Sequence, residues 1–215
     1  WDKVQEELSE LRTEVQRGDR ERAAAELGDV LFSLVNYAQH LGIRADDALE
    51  RTNKKFIARF TEMERAIVAY LIKISAQDVS LSDERLISAI HHATSDIIRI
   101  SELADNITKY TRNCKRDGID FSSGVLKSLQ DMYEKIDRLY QKTLDVFDKK
   151  DITAIRAVDA VEDEIDADRK AMVKDHIRRL NEGKCKPASS GVFINLVGNL
   201  ERAADHLTYV AHAFD

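Results

Sequence analysis

The sequence predicts an all-α protein made of long helices packed as antiparallel bundles. Its 215 residues include one proline and eight glycines, so few positions interrupt regular structure. Apolar residues recur every three or four positions rather than alternating, which is the spacing of amphipathic helices. Helical segments of nearly thirty residues joined by short turns favour antiparallel neighbours. The chain is long enough for one large core or two small ones.

The first two helices are predicted at residues 3–17 and 20–41, joined as a hairpin. Their apolar stripes are Val4, Leu8, Leu11 and Val15 on the first helix and Leu27, Val30, Leu31, Leu34, Val35 and Ala38 on the second. Between them, Gly18 is placed to end the first helix and Asp19 to cap the second. The turn therefore centres near residue 18.

A third helix is predicted from about Ala45, with Asp46 and Asp47 favourable in its first turn. Its apolar positions are Leu49, Phe56, Phe60, Met63, Ile67, Tyr70 and Ile74. From Phe56 onward the steps alternate between four and three, as in a coiled-coil seam. The stripe crosses residue 66 without a break, so one helix, and not a flexible linker, joins what lies on either side.

Four more helices are predicted in the remainder of the chain. They run from Ser82 to about Cys114, from Ser122 or Ser123 through Phe147, from Asp151 to about Glu182, and from Phe193 to Phe214. Gly118 separates the first two of these helices. The segment from Gly183 to Gly191 holds the only proline and is predicted to be a loop.

Two acidic pairs near the start of the chain carry the strongest chemical signal. Glu7 and Glu10 lie on the first helix, and Glu26 and Asp29 lie on the second. Both pairs have i,i+3 spacing and are nearly equidistant from the turn, so an antiparallel hairpin brings them to matching heights. Four carboxylates offer only oxygen ligands, which suits Mg²⁺ or Mn²⁺. The alternative is a solvated, charged helix face.

These acids begin a longer pattern that resembles a known enzyme family. After E-E-x-x-E, a spacer and E-x-x-D, it continues through Gly28-Asp29-Val30-Leu31-Phe32, Val35-Asn36, His40-Leu41-Gly42, Ala48-Leu49, Asn53-Lys54-Lys55-Phe56 and Arg59-Phe60. Over residues 1–65 this is similar to the MazG-type nucleoside triphosphate pyrophosphohydrolases, which use metal-activated water to split NTP into NMP and pyrophosphate.

The resemblance implies a role for eight residues. The implied catalytic and Mg²⁺-binding residues are Glu7, Glu10, Glu26 and Asp29; Lys3, Lys55 and Arg59 would grip the triphosphate, and Glu6 would join the same polar cluster. Family members close the site by dimerisation, so we expect a homodimer or larger homo-oligomer formed through the first three helices. They also carry residues upstream that close the base pocket, so the sequence predicts a truncated base-recognition part.

A second resemblance covers residues 67–215, and we place the domain boundary between residues 66 and 67. The segments 96–102 and 199–205 echo each other, each with an arginine three residues before an acid. With Tyr70-Leu71-Ile72-Lys73-Ile74-Ser75, they resemble PhoU-type proteins, which regulate phosphate uptake. Some of these bind metal through the acidic motif, and the matching residues are Glu201 and Asp205, with Glu102 in the degenerate first copy.

Simpler interpretations exist for the C-terminal acids. The arginines and acids of the two echoes also suit ion pairing along or between helices. His206 on the same face is expected to be a core or pairing histidine. The acidic run from Asp159 to Asp168 keeps helical phase and is interpreted as a solvated face, with a weak cation site as the alternative.

Bulk properties narrow the classes of function. The net charge of −6 disfavours a nucleic-acid partner. No apolar run reaches eighteen residues, so no membrane span is expected. Cys114 and Cys185 lack metal-type spacing and fit free thiols in a cytoplasmic protein. The two resemblances imply one of two functions: a Mg²⁺-dependent NTP pyrophosphohydrolase joined to a phosphate regulatory bundle, or a non-enzymatic regulator, with a phosphate transporter as a partner. In the second case the N-terminal acids are remnants or the join is artificial.

Overall fold

The computed structural model describes residues 1–149 and 151–214, and over these residues the protein is all-α, as predicted. The helices are α1 (Asp2–Arg17), α2 (Arg20–His40), α3 (Ala45–Ser75), α4 (Leu81–Asp117), α5 (Ser123–Lys149), α6 (Ile155–Asn181) and α7 (Pro187–Ala211). Short 3-10 turns at Ile152–Ala154 and His212–Phe214 precede α6 and follow α7.

The chain divides into two compact units, Trp1–Phe56 and Ile57–Asp215. This division falls inside α3, which runs without interruption from Ala45 to Ser75. The sequence-based boundary at residues 66 and 67 lies in the same helix, about three turns further along. A continuous helix at the junction agrees with the unbroken apolar stripe.

The hairpin of α1 and α2 forms as the turn residues predict. Gly18 adopts φ 74°, in the left-handed region, and its N–H bonds the carbonyl of Val15 at 3.2 Å. Asp19 is the N-cap of α2, and its carboxylate accepts the N–H of Arg22 at 3.1 Å. Because glycine reaches positive φ without strain, the chain reverses within two residues.

The buried face of α1 differs from the predicted apolar stripe. Val4 is buried as expected, but Leu8 is 47% exposed and Val15 is 62% exposed. Glu7 and Glu14 are buried instead. Around the helix axis, Glu7 and Glu14 lie about 60° and 80° to one side of Val4, whereas Leu8 lies about 40° to the other side. The buried face of α1 is therefore rotated from the apolar stripe towards the acids.

The second unit has a conventional apolar core in which α5, α6 and α7 pack together. Its fully buried side chains include Met132, Leu139, Val146, Val158, Ile165, Phe193 and Val197. Thr143, also buried, donates its hydroxyl to the carbonyl of Leu207 at 3.2 Å and so links α5 to α7. Helix α4 packs against α7 through the small residues Ala89 and Ala93 together with Ile98 and Leu103.

The start of α7 is where the predicted elements are wrong. The segment from Gly183 to Gly191 was expected to be a loop, but α7 already begins at Pro187. Proline lacks an N–H and has a fixed φ, both of which suit the first helical position, so it starts this helix rather than excluding it. At α6, Asp151 caps a 3-10 turn through the N–H of Thr153, and the α-helix begins four residues later.

Candidate metal centres

Three carboxylates converge on the inner face of the N-terminal hairpin. Oxygen atoms of Glu7, Glu26 and Asp29 all lie within 4.8 Å of one another. Glu7 is buried, Glu26 is half-buried and Asp29 is exposed, so the cluster opens from the helix interface towards solvent. Three of the four acids that the sequence placed at matching heights on the two helices are therefore close together. An all-oxygen donor set of this kind fits a hard divalent cation such as Mg²⁺ or Mn²⁺.

Glu10, the fourth predicted ligand, is exposed and lies outside this group of three. It still belongs to the electrostatic environment of the cluster. The pKa of Glu26 is raised first by partial burial and then by the negative charges of Glu10, Asp29, Glu7 and Glu14. Such mutual repulsion favours a bound cation, because a cation removes the cost of ionising neighbouring acids.

The predicted phosphate-binding cations take different positions. Lys3 bonds Glu7 at 2.9 Å and Glu6 at 3.2 Å, which raises the pKa of its ammonium group. Lys55 and Arg59 are both exposed on α3, and the division between the two units falls between them. Of these predicted substrate-binding residues, Lys3 contacts the acidic cluster through Glu7, and Glu6 contacts Lys3.

A second acidic cluster lies between α6 and α7 in the C-terminal unit. Glu201 and Asp205 of α7 interact with Glu162 and Asp166 of α6. Partial burial raises the pKa of Glu162, and the charges of Asp205 and Asp166 raise it further. Burial also raises the pKa of Glu201 and of Asp205. Arg169 lies beside Glu201, with Nε and Oε1 3.4 Å apart, and partly compensates these acids.

Glu102, predicted from the first echo, instead accepts a hydrogen bond from Arg99 at 2.8 Å on the exposed side of α4. The two echoes do meet, through other residues: His206 Nδ1 and Asp96 Oδ1 are 2.8 Å apart and join α7 to α4. His206 is thus a pairing histidine in this structure.

The sequence analysis favoured a solvated face for the segment that holds Glu162 and Asp166, and a weak cation site was only its alternative. A signal was present in the spacing. Glu162 and Asp166 are four residues apart, as are Glu201 and Asp205. Two E-x-x-x-D pairs on antiparallel neighbours present four carboxylates to one interface, which is the same pattern logic that identified the hairpin acids.

Comparison with known proteins assigns each unit separately. The profile of the MazG nucleotide pyrophosphohydrolase domain matches residues 2–63, and that of the PhoU domain matches residues 129–214. The chain combines a MazG domain with a PhoU domain. The MazG match contains the hairpin acids, and the PhoU match contains both E-x-x-x-D pairs.

Individual relatives agree with the two matches. Over 85 residues the MazG part is 39% identical to a nucleoside triphosphate pyrophosphohydrolase of Escherichia coli K12; the match spans 39% of this chain and 32% of that protein. The chain therefore covers about a third of this relative's length. A Thermotoga maritima pyrophosphohydrolase/pyrophosphatase MazG is 37% identical over 31% of this chain and 25% of its own length.

The alignment with a PhoU relative is longer and covers most of both chains. A phosphate-specific transport system accessory protein PhoU homolog from Thermotoga maritima is 26% identical over 183 residues, which is 84% of this chain and 74% of that protein. No solved structure gave a significant match. Among the described residues, none of the helices is long and apolar enough to cross a membrane.

Proposed function

We propose that the MazG domain is a Mg²⁺-dependent nucleoside triphosphate pyrophosphohydrolase, and that Mn²⁺ can replace Mg²⁺. The observation that carries this proposal is the convergence of Glu7, Glu26 and Asp29 within 4.8 Å on a helical hairpin. The reaction is hydrolysis of the bond between the α- and β-phosphates, which yields a nucleoside monophosphate and pyrophosphate. A bound divalent cation would supply charge neutralisation and a water of lowered pKa.

The residues of the chain have separate tasks in this proposal. Glu7, Glu26 and Asp29 hold the cation, and Glu10 accepts the proton of the attacking water. Lys3 holds Glu7 in place through its 2.9 Å ion pair and offers its remaining hydrogen-bonding capacity to phosphate oxygens. Lys55 and Arg59 supply further positive charge for the triphosphate, with Arg59 suited to bidentate contacts.

The test is pyrophosphate release from a mixture of the common ribo- and deoxyribonucleoside triphosphates, with Mg²⁺ or with EDTA. Glu7→Gln keeps the shape of the side chain but removes its charge, and we expect a loss of about 100-fold or more. The matched control is Glu21→Gln, an exposed acid in the first turn of α2. Equal metal-dependent release by Glu7→Gln and by the unmutated protein would contradict the proposal.

Glu10→Gln tests the fourth predicted ligand in the same assay. If Glu10 accepts the proton, this substitution lowers the turnover number strongly and leaves the Mg²⁺ requirement unchanged. If Glu10 is a cation ligand, the Mg²⁺ concentration for half-maximal rate rises instead. Activity equal to that of the unmutated protein removes Glu10 from the site.

For the PhoU domain we propose a non-enzymatic role: cation binding by the α6–α7 acids, linked to the regulation of phosphate uptake through a transporter. The supporting observation is that Glu162, Asp166, Glu201 and Asp205 share one interface with raised pKa values for three of them. The test is metal content after purification. We expect Asp205→Asn to lose bound metal, whereas Glu164→Gln, an exposed neighbour on α6, keeps it.

Self-association completes the proposal for the MazG domain. Several large apolar side chains of α1 and α2 are exposed: Leu8, Leu27, Leu31, Phe32, Leu34 and Val35. An exposed apolar surface of this extent on a helical hairpin is typical of an interface. We infer a homodimer or larger homo-oligomer formed through α1–α3, with a cytoplasmic location.

A further inference from the structure

Helix α5 carries two parallel rows of apolar side chains, and only one of them lies in the core. The buried row packs with α6 and α7 and repeats every seven residues: Val125, Met132, Leu139 and Val146. The second row repeats at the same interval, one position further along the chain, and consists of Leu126, Tyr133 and Tyr140. Their exposed fractions are 54%, 58% and 43%, respectively. We call these three residues the exposed row.

The spacing of the exposed row is that of a surface which another helix covers. Isolated exposed apolar side chains are common on proteins. A seven-residue repeat is different, because it returns each side chain to nearly the same side of the helix, with a drift of about 20°. Leu144, which is 45% exposed, extends the exposed row by one turn beyond Tyr140. A second helix can pack its own side chains between members of such a row.

The edge of α5 next to the exposed row is acidic. Around the helix axis, at about 100° per residue, Asp137 lies about 40° beyond Tyr133. Asp148 and Glu134 follow at about 60° and 100° from the same tyrosine. All three acids are exposed. Glu134 accepts a hydrogen bond of 3.1 Å from the neutral amide of Gln130, which leaves its charge uncompensated by that contact. We call these three acids the acidic edge.

Cations of α5 lie away from the acidic edge and are paired there. Lys135 Nζ is 2.6 Å from Asp168 Oδ2, and Arg138 Nη2 is 3.3 Å from Glu164 Oε2, so both face α6. Two further ion pairs run along α5 itself: Lys127 with Asp131 and Lys149 with Asp145. An apolar row beside an acidic edge is complementary to a helix that has an apolar seam beside a basic edge.

We propose that the exposed row and the acidic edge of α5 form a docking surface for an amphipathic helix of a partner protein, whose apolar seam is flanked by lysine or arginine. The same surface of a second copy fits less well, because it brings two acidic edges to one interface. An anionic membrane fits less well for the same reason, since its headgroups repel the acids. Docking at α5 is independent of the reaction proposed for the MazG domain.

The test is the binding of two synthetic helical peptides to the full-length protein, measured by fluorescence anisotropy. Both peptides are about four heptads long with leucine at the seam positions, and they differ only in carrying lysine or glutamate at the flanking positions. We expect the lysine peptide to bind about tenfold or more tightly than the glutamate peptide. No binding of the lysine peptide, or equal binding of the two peptides, would overturn the proposal.

Tyr133→Ala tests the exposed row without changing the net charge, so it separates docking from general attraction between a basic peptide and an acidic protein. We expect it to weaken binding of the lysine peptide about tenfold or more, since tyrosines often dominate interface energetics. The matched control is Tyr209→Ala, at a 56% exposed tyrosine of α7, which should bind like the unmutated protein. Circular dichroism checks the folding of both variants. Equal binding by the two variants contradicts the proposal.

Asp137→Lys tests the acidic edge. It should reduce the preference for the lysine peptide over the glutamate peptide about threefold or more. Asp131→Lys makes the same change at an exposed position about 160° from Tyr133 around the axis, and should keep the preference. If Asp137→Lys keeps the preference as well, the acidic edge does not select the partner and the proposal is wrong.

Two measurements exclude the other occupants of this surface. We expect Tyr133→Ala and the unmutated protein to sediment alike over a range of concentrations, and to bind vesicles of phosphatidylglycerol and phosphatidylcholine alike. Weaker self-association of Tyr133→Ala would mean that a second copy covers the exposed row. Weaker vesicle binding would mean that the exposed row contacts lipid. Either result overturns the proposal.

Discussion

The two units of this protein use helices of similar character to bury different kinds of residue. In the PhoU domain most of the buried side chains are apolar and none of the buried residues of the described part is an acid: Met132 and Leu139 are fully buried and Phe193 is 1% exposed. In the MazG hairpin, buried positions include Glu7 and Glu14, while Leu31 is 57% exposed. The comparison shows that the hairpin buries two carboxylates beside Val4 and Val30 and leaves many of its large apolar side chains exposed.

The largest expected effect is the loss of stability when a buried core side chain is truncated to alanine. Leu139→Ala removes a fully buried side chain of the C-terminal core and should lower the free energy of unfolding by about 2–5 kcal/mol. Leu144→Ala, on the same helix but 45% exposed, should cost less than about 1 kcal/mol. Urea unfolding followed by far-UV circular dichroism measures both.

Leu31→Ala extends that experiment to the hairpin, where a local probe exists. Trp1 is the only tryptophan, and its ring centroid lies 5.3 Å from that of Tyr37 on α2. Its fluorescence therefore reports on the hairpin alone. A loss at Leu31 as large as that at Leu139, and one that grows with protein concentration, would show that the exposed face is covered by a second copy in solution.

The next effect concerns assembly. Leu31→Glu places a charge on the exposed apolar face of α2 and should weaken self-association at least tenfold, or about 1.4 kcal/mol. Leu144→Glu makes the same change on an exposed site of the PhoU domain and should leave the assembly unchanged. Sedimentation velocity over a range of concentrations measures both. Dissociation by Leu144→Glu, but not by Leu31→Glu, would place the interface in the other unit.

The smallest effect is electrostatic and depends on pH. The pKa of Glu162 is raised from an ordinary value of 4.5, so the folded protein holds this proton more tightly than the unfolded chain does. Ionisation of Glu162 therefore costs stability as the pH rises from 4.5 through the raised pKa. With metal removed by EDTA, Glu162→Gln should stabilise the protein by about 0.5–1 kcal/mol at pH 7, since partial burial and the charges of Asp205 and Asp166 disfavour the ionised form of Glu162. This gain should vanish below pH 4.5.

The control for that measurement is Glu164→Gln. Glu164 is exposed and lies 3.3 Å from Arg138 on α5. Its neutralisation should cost a few tenths of a kcal/mol at pH 7. Thermal melts at pH 4 and pH 7 test both variants. Destabilisation by Glu162→Gln at pH 7 without metal would contradict the view that burial and neighbouring acids make the ionised form of Glu162 costly.

The sequence was sufficient for the fold class and for the hairpin turn, because both depend on local chemistry. Helical spacing, the αL glycine at residue 18 and the Asp19 cap act within a few residues. Choosing the buried face of α1 was harder: Leu8 and Glu7 are adjacent, and which of them is buried depends on the rotation of α1 against α2. A hydrophobic stripe identifies the buried face only when the surface it packs against is in the same chain.

The sites show the same limit. The prediction that Glu7, Glu26 and Asp29 lie together needed only antiparallel register, and the geometry agrees with it. The exposed position of Glu10 depends on side-chain rotation, which spacing does not specify. The pairing of Glu162 with Asp205 depends on which helix packs against α7. Once α6 is known to be that neighbour, Glu162 and Asp166 of the acidic run can be placed beside Glu201 and Asp205 of α7.

The length of the two-residue turn at Gly18 and Asp19 also sets which residues of α2 lie opposite the acids of α1. If an extra residue there were absorbed into α2, Glu26 and Asp29 would turn by about 100° around the helix axis and shift by about 1.5 Å. Surface turns usually tolerate insertions, but at this turn the cost would appear in metal binding rather than in folding. A one-residue insertion should therefore leave a helical protein in which Glu7, Glu26 and Asp29 no longer lie together, and metal titration of that variant tests the proposed cation site.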